Sequence, residues 1–274
     1  MRSVSAMVDE YASMISDSEI FDFCLWWDPV FREGFHTYSD WGTQWEAYMR
    51  FGLRRGLVTS AKAARYDAAE GNAELAELIK GGDLPLLGCM VLTPEMFYDR
   101  NGEKYIDDLV SCGFSAAKLF PVTYSHSMKP FCVGSLLSAL EDRGIPLILQ
   151  HTQVSLEEMD RLCEEYPGLN IVLEGHEQKL LYHARQYTAL LIRHSNFFVE
   201  THNLVLYREI ETIESLAGCE NLLYGSGYPY NTPHCSLYHI LSAGITEKQR
   251  SGVLCDNAMR IMRDPAAGGY RHDH

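Results

Sequence analysis

The chain has 274 residues, 46% of them apolar and 22% charged, and carries a net charge of −14. A surface this acidic repels phosphate backbones, which removes nucleic acid from the expected partners. No apolar run approaches the roughly 18 residues of a membrane span, and the opening stretch MRSVSAMVDEYASM lacks the apolar core of a secretory signal.

Eight short, nearly continuous apolar runs follow one another: Ile20–Trp26, Gly56–Thr59, Leu86–Leu92, Ala116–Leu119, Leu147–Gln150, Asn170–Glu174, Phe197–Thr201 and Asn221–Ser226. Such runs are what strands buried on both faces of a parallel sheet require. Helix signals separate them. Ser155 and Glu158 predict a capping box ahead of Met159, Leu162 and Cys163, and Thr246 and Gln249 predict another ahead of Val253, Leu254 and Ile261. Gly113 and Gly144 each close a helix and feed the next run. Strand alternating with helix predicts a parallel α/β fold. Eight units, in a length near the roughly 250 residues of a typical barrel, favour a (β/α)₈ TIM barrel with residues 1–274 as a single domain.

The stretch after the first run is different. All four tryptophans (Trp26, Trp27, Trp41, Trp45) lie in or just before it, with Phe31, Phe35, Tyr38, Tyr48 and Phe51. It predicts an aromatic-rich helical insertion. Three readings stay open: packing over the barrel, an oligomer interface, or a lid over the site. The eight cysteines form no C-x-x-C pair and fall mostly in apolar stretches. They are expected as buried free thiols of a reducing, cytosolic compartment.

In a barrel of this kind, chemistry sits at the C-terminal ends of the strands. The sequence places Asp22, Cys24 and Trp26 at the first such end, Lys118 at the fourth and His151 at the fifth. Glu174 and His176 fall at the sixth, Glu200 and His202 at the seventh, Ser226, Gly227 and Tyr228 at the eighth. His176 and His151 are the candidate proton-transfer groups, although a histidine after an apolar strand is often a satisfied core residue. Asp22 would orient His151 or a substrate, or else cap local backbone groups. Cys24 reads as a thiolate ligand, a nucleophile or a small buried hydrophobe. Lys118 would hold a substrate carboxylate; as an ordinary interior lysine it needs a partner, Asp22 or Glu174. Trp26, Glu174 and Tyr228 complete the candidate substrate-binding group. The RHDH tail (271–274) is expected to be disordered.

Several segments, taken together, resemble one family. They are GFSAAKLFP (113–121), IPLILQHT (145–152), YPGLNIVLEGH (166–176), NLLYGSGYP (221–229) and NAMRIM (257–262). In this order they resemble strands four, five, six and eight and the final helix of the amidohydrolase superfamily. The likeness runs from about Ile20 to Met262. The branch it points to is the amidohydrolase-related one, with metal-dependent decarboxylases and hydrolases of carboxylated or lactone substrates. The resemblance implies a divalent metal held by D-x-H-x-H on the first strand, a histidine on the fifth and an aspartate on the eighth. Here IFDFCLWW keeps Asp22 but puts Cys24 and Trp26 at the two histidine positions, and Gly227 stands for the aspartate. His151 matches the fifth-strand ligand, and His176 the sixth-strand base or electrophile.

Three expectations follow. The first is a hydrolase or non-oxidative decarboxylase of a small organic acid, lactone or amide. Its single divalent metal, zinc, would be held by Cys24, His151 and a third group, with His176 moving protons. Glu200 and His202 could rebuild the ligand set, without support from the resemblance. The second is a metal-free enzyme with His151 and His176 as an acid–base pair and Lys118 on an anionic substrate. The third is a pseudoenzyme that binds a small molecule or a protein partner. A homodimer through the aromatic segment is a candidate assembly.

Overall fold

The structure is a computed structural model that describes residues 4–28, 40–81, 85–99, 101–175 and 180–262. His176, Phe31, Phe35, Tyr38 and the 271–274 tail lie outside these residues.

Eight parallel strands follow one another in chain order around one sheet: β1 Asp22–Trp27, β2 Gly56–Ser60, β3 Leu86–Val91, β4 Phe114–Lys118, β5 Leu147–Gln150, β6 Ile171–Glu174, β7 Phe197–Glu200 and β8 Leu222–Leu223. Helices connect them, as the (β/α)₈ TIM-barrel expectation requires. The seam between β8 and β1 is joined by backbone bonds. Phe23 N–H donates to Tyr224 O at 2.8 Å, Trp26 N–H to Tyr228 O at 2.8 Å, and Gly227 N–H to Cys24 O at 2.9 Å. The last strand is shorter than the run Asn221–Ser226 predicts, because past Leu223 the chain turns through Gly225 and Gly227 over the barrel mouth.

Each strand puts alternate side chains inside the barrel. The lower interior is apolar: Phe23, Leu57, Cys89, Ala116, Ile148, Val172, Phe198 and Leu223 pack together, closed from below by Cys255, Ala258 and Ile261. One pleat higher, the same strands present Lys118, Gln150, Glu174 and Glu200, all buried. A larger apolar cluster lies between the outer faces of the strands and the helices. Strands β4, β5 and β6 thus lie buried on both faces, which is why they read as continuous apolar runs.

Local signals act mostly as the residues suggest. Gly144 ends the helix Pro130–Arg143 at φ 61°, a conformation costly for other residues. Thr246 and Gln249 form the full capping box. At Ser155 only half of one forms. Its hydroxyl accepts from Glu158 N–H at 3.2 Å, while the Glu158 carboxylate turns to Arg161 and Lys129, a stronger charged pairing. The helix Trp41–Met49 starts on Asp40, whose carboxylate accepts from Thr43 N–H at 2.8 Å. Trp41 meets Trp27 edge-on and stacks on Trp45, and Tyr48 packs on Tyr228. Trp45 and Tyr48 are buried within the chain itself, so this helix packs over the barrel. All eight cysteines are free thiols. Five are buried, but Cys112 and Cys132 are half-buried and Cys235 is exposed on the helix Pro233–Leu241, a correction to the expectation of burial. The last lies on the solvent side of a helix whose inward positions are Ser236, Leu237 and Ile240.

Candidate active site

Lys118 is the organising group of the barrel mouth. Its Nζ lies 2.5 Å from Glu174 Oε2, with both side chains 1% exposed, and 4.2 Å from the centroid of the Trp26 ring. Gln150 Nε2 donates to the other Glu174 oxygen at 2.9 Å. Burial alone would strip the ammonium of its proton. Glu174 outweighs it and raises the lysine above its ordinary value, so the charge is kept. Of the two partners open to Lys118 in the sequence, Glu174 is the one it takes.

Asp22 is used differently. Its Oδ1 accepts from Cys24 N–H at 3.1 Å and Ser226 N–H at 2.8 Å, and its Oδ2 from Tyr48 O–H at 3.0 Å. These bonds tie β1 to the turn after β8 and to the aromatic helix, the backbone-capping role. Burial nonetheless pushes its pKa up to about 7. Tyr228 faces the same aromatic layer, its hydroxyl donating to Gln44 O at 3.3 Å.

His151 follows β5. Both of its ring nitrogens are shielded from solvent and have no hydrogen-bond partner among the described residues. Its ring lies 5.3 Å from that of His183. Burial holds its pKa below the ordinary value, which favours the neutral imidazole near pH 7.

The end of β7 and the residues after it contribute the pair for which the resemblance gives no support. Glu200 and His202 are two residues apart and face the interior together. The Glu200 carboxylate accepts from His202 N–H at 2.7 Å and is hydrogen-bonded to His202 Nδ1. Burial works against a charged imidazole, yet Glu200 outweighs it and raises the His202 pKa. Cys24, Glu200 and His202 offer ligand atoms within 4.8 Å of one another, all buried. Two glycines make room for the pair. A Cβ on Gly225 would meet Glu200 Oε1 at 2.0 Å, and one on Gly227 would meet His202 Cδ2 at 2.8 Å. The signal available in sequence was the i, i+2 spacing of two titratable residues opposite two glycines.

Around this centre, Arg65 bonds Asp28 at 2.7 Å and the Tyr230 hydroxyl at 2.9 Å, and Tyr230 packs edge-on against Trp26. A groove of about 550 Å³ between the 204–208 segment and the helix Pro233–Leu241 reaches down to His202.

The amidohydrolase family model matches residues 53–263, well over half of the sequence, and the chain belongs to this family. The match begins after β1, the strand that departs from the metal-binding pattern. No curated protein matches the chain. Among solved structures, 5-carboxyvanillate decarboxylase from Sphingomonas paucimobilis superposes with a TM-score of 0.64 at 16% identity, over 82% of this chain and 83% of that one. The 2,6-dihydroxybenzoate decarboxylase from Rhizobium gives 0.66 at 14% identity, over 92% and 100%. A dihydroxybenzoic acid decarboxylase from a Polaromonas species, with bound manganese and the inhibitor 2-nitroresorcinol, gives 0.63 at 14% identity, over 89% and 96%. Likeness at these identities concerns the fold.

The positions that the resemblance assigns to a metal do not fit one. Trp26 offers no donor and its ring packs against Lys118. At Gly227, the space an aspartate would need is taken by Asn231 and His202. Cys24 and His151 remain, and a protein zinc site needs at least three donors.

Proposed function

We propose that this chain is a hydrolase or non-oxidative decarboxylase of a small organic acid, lactone or amide, with its catalytic centre around Lys118 in the barrel mouth and residues 1–274 as one catalytic domain. The observation that carries the reading is the fully buried Lys118–Glu174 pair, set beside Cys24, Glu200 and His202 at the strand ends. Burying several charges is costly for stability alone, and such clusters mark functional sites. Membership of the amidohydrolase family and the decarboxylase neighbours support the substrate class.

In this reading Lys118, held charged by Glu174 and backed by the Trp26 face, attracts the substrate carboxylate or the negative charge that develops on an acyl oxygen. Neutral His151, whose ring nitrogens have no hydrogen-bond partner among the described residues, accepts or returns a proton, and His176 is its proposed partner. In a decarboxylation, the carbon–carbon bond breaks, CO₂ leaves, and the electron pair left on carbon takes a proton that the His151 imidazole first gains from solvent. In a hydrolysis, the imidazole takes a proton from the attacking water and returns it to the leaving group. No step is routed through a metal at the family's positions. Free thiols suit a reducing compartment, and a cytosolic location belongs to the same proposal.

The test is turnover on a panel of small aromatic acids, lactones and amides, read as CO₂ release or new carboxylate. Lys118→Met should remove activity found in the wild type, and His151→Ala should lower kcat. Wild-type turnover that survives Lys118→Met would overturn the reading.

A further inference from the structure

The departures from the family's metal pattern are not scattered. Gly227 leaves room for His202 and Asn231, and Gly225 leaves room for Glu200. Both glycines therefore serve donors that come from β7. The third donor, Cys24, stands where the family has a first-strand ligand.

We propose that Cys24, Glu200 and His202 hold a divalent cation, with zinc as the natural occupant, in a centre displaced from the family's positions toward β7. The donor atoms lie within 4.8 Å of one another. Zinc bonds of roughly 2.0–2.3 Å place tetrahedral donors about 3.5 Å apart, so side-chain adjustment is enough to close the set. One sulfur, one nitrogen and one oxygen are the mixed donor types that zinc accepts, and three protein donors leave a fourth position for water or substrate. Asn203 Nδ2 donates to Gly175 O and lies 3.0 Å from His202 Nε2, so an ion bound at Nε2 displaces this contact while Nδ1 keeps its hydrogen bond to Glu200. Charge is consistent too. Lys118 neutralises Glu174, while a dication is balanced by the Glu200 carboxylate and a Cys24 thiolate, whose proton leaves to solvent on binding.

The inference deepens the proposed function by naming its cofactor, and its test needs no substrate. Full-length protein, purified without a tag or chelator, is assayed for metal by plasma mass spectrometry, then stripped and titrated with Co²⁺. The expected results are close to one metal per chain and a thiolate-to-cobalt charge-transfer band in the near ultraviolet. Cys24→Ser should abolish that band. Glu200→Gln and His202→Ala should weaken Co²⁺ binding by more than the roughly 10–100-fold that loss of an outer-shell partner costs. His151→Ala should leave the band in place. Circular dichroism establishes that each variant is folded. Should His202→Ala fail to fold, the band in Cys24→Ser decides alone. Absence of both metal and band in the wild type would overturn the proposal. So would a band that survives Cys24→Ser, or one that His151→Ala removes while His202→Ala retains it. A metal-loaded protein inert on every substrate would leave this centre standing and count against the proposed function alone.

Discussion

The lower and upper halves of the barrel interior are built from the same strands, one pleat apart, and differ in almost every chemical respect. Below, Ala116, Ile148, Val172 and Phe198 form an apolar plug. Above, Lys118, Gln150, Glu174 and Glu200 take the next inward positions of the same four strands. The lower layer gains stability from burial and packing. The upper layer places ionised groups where burial penalises them and recovers the cost only through mutual pairing. The fold thus keeps its rigid part directly beneath its chemically active part, and a two-residue step along β4, β6 or β7 crosses from one to the other.

The largest expected effects come from breaking each layer by itself. Glu174→Ala leaves Lys118 buried without its counter-charge and should cost about 3–5 kcal/mol. Phe198→Ala opens a cavity in the plug and should cost about 3–5 kcal/mol. Equal losses would still have different causes, and a double substitution separates them. Lys118→Met combined with Glu174→Leu removes both charges and keeps apolar volume. It should leave stability unchanged or raise it by about 1–4 kcal/mol, while activity is lost. Urea midpoints measure all three. A double variant as unstable as Glu174→Ala would mean that the upper layer is built for stability after all.

How much of this was legible in the sequence follows the same division. The lower layer makes each strand an apolar run, so the (β/α)₈ fold and all eight strand positions could be read from Ile20 to Ser226. The upper layer was legible as residue types at strand ends, but not as partnerships. Lys118 had two candidate partners in sequence, and only the closeness of β4 and β6 across the barrel selects Glu174. Asp22 could be read as a site group or as a cap for local backbone, and its carboxylate accepts from two backbone amides and Tyr48. Glu200 and His202 lacked support from the family pattern, because their space depends on Gly225 and Gly227, some 25 residues on in sequence. A glycine where a ligand is expected reads as a loss in one dimension; in three it is room for another side chain.

A smaller effect sharpens this point. Gly225→Ala would place a methyl group within 2.0 Å of Glu200 Oε1. The carboxylate must move, and overpacking of this kind costs about 1–3 kcal/mol. A matched change at the barrel floor, Ala116→Gly, removes one methyl group and leaves every upper-layer contact in place. The glycine variant should therefore disturb the His202 ring resonances in NMR spectra, and the floor variant should not. Unchanged His202 resonances in Gly225→Ala would show that the two glycines do not govern the pair.

The smallest expected effect concerns a group outside both layers. His126, in the segment between β4 and the helix Pro130–Arg143, is half-buried. Its Nδ1 is 3.3 Å from Ser127 O and its Nε2 has no partner among the described residues. Burial lowers its pKa below 6.5, and neither the Ser127 carbonyl nor Glu95 restores it. The unfolded chain, with an ordinary imidazole, then binds more protons than the folded one between the folded pKa and about 6.5. Stability from this group is therefore complete above pH 6.5 and declines as pH falls through that window. His126→Gln keeps a polar side chain of similar reach and should flatten this part of the curve, measured as the difference in urea midpoint from wild type across the window. A parallel pair of curves would show that His126 does not contribute; His202, whose pKa Glu200 raises, loses its share of stability as pH rises and cannot supply the acid sensitivity.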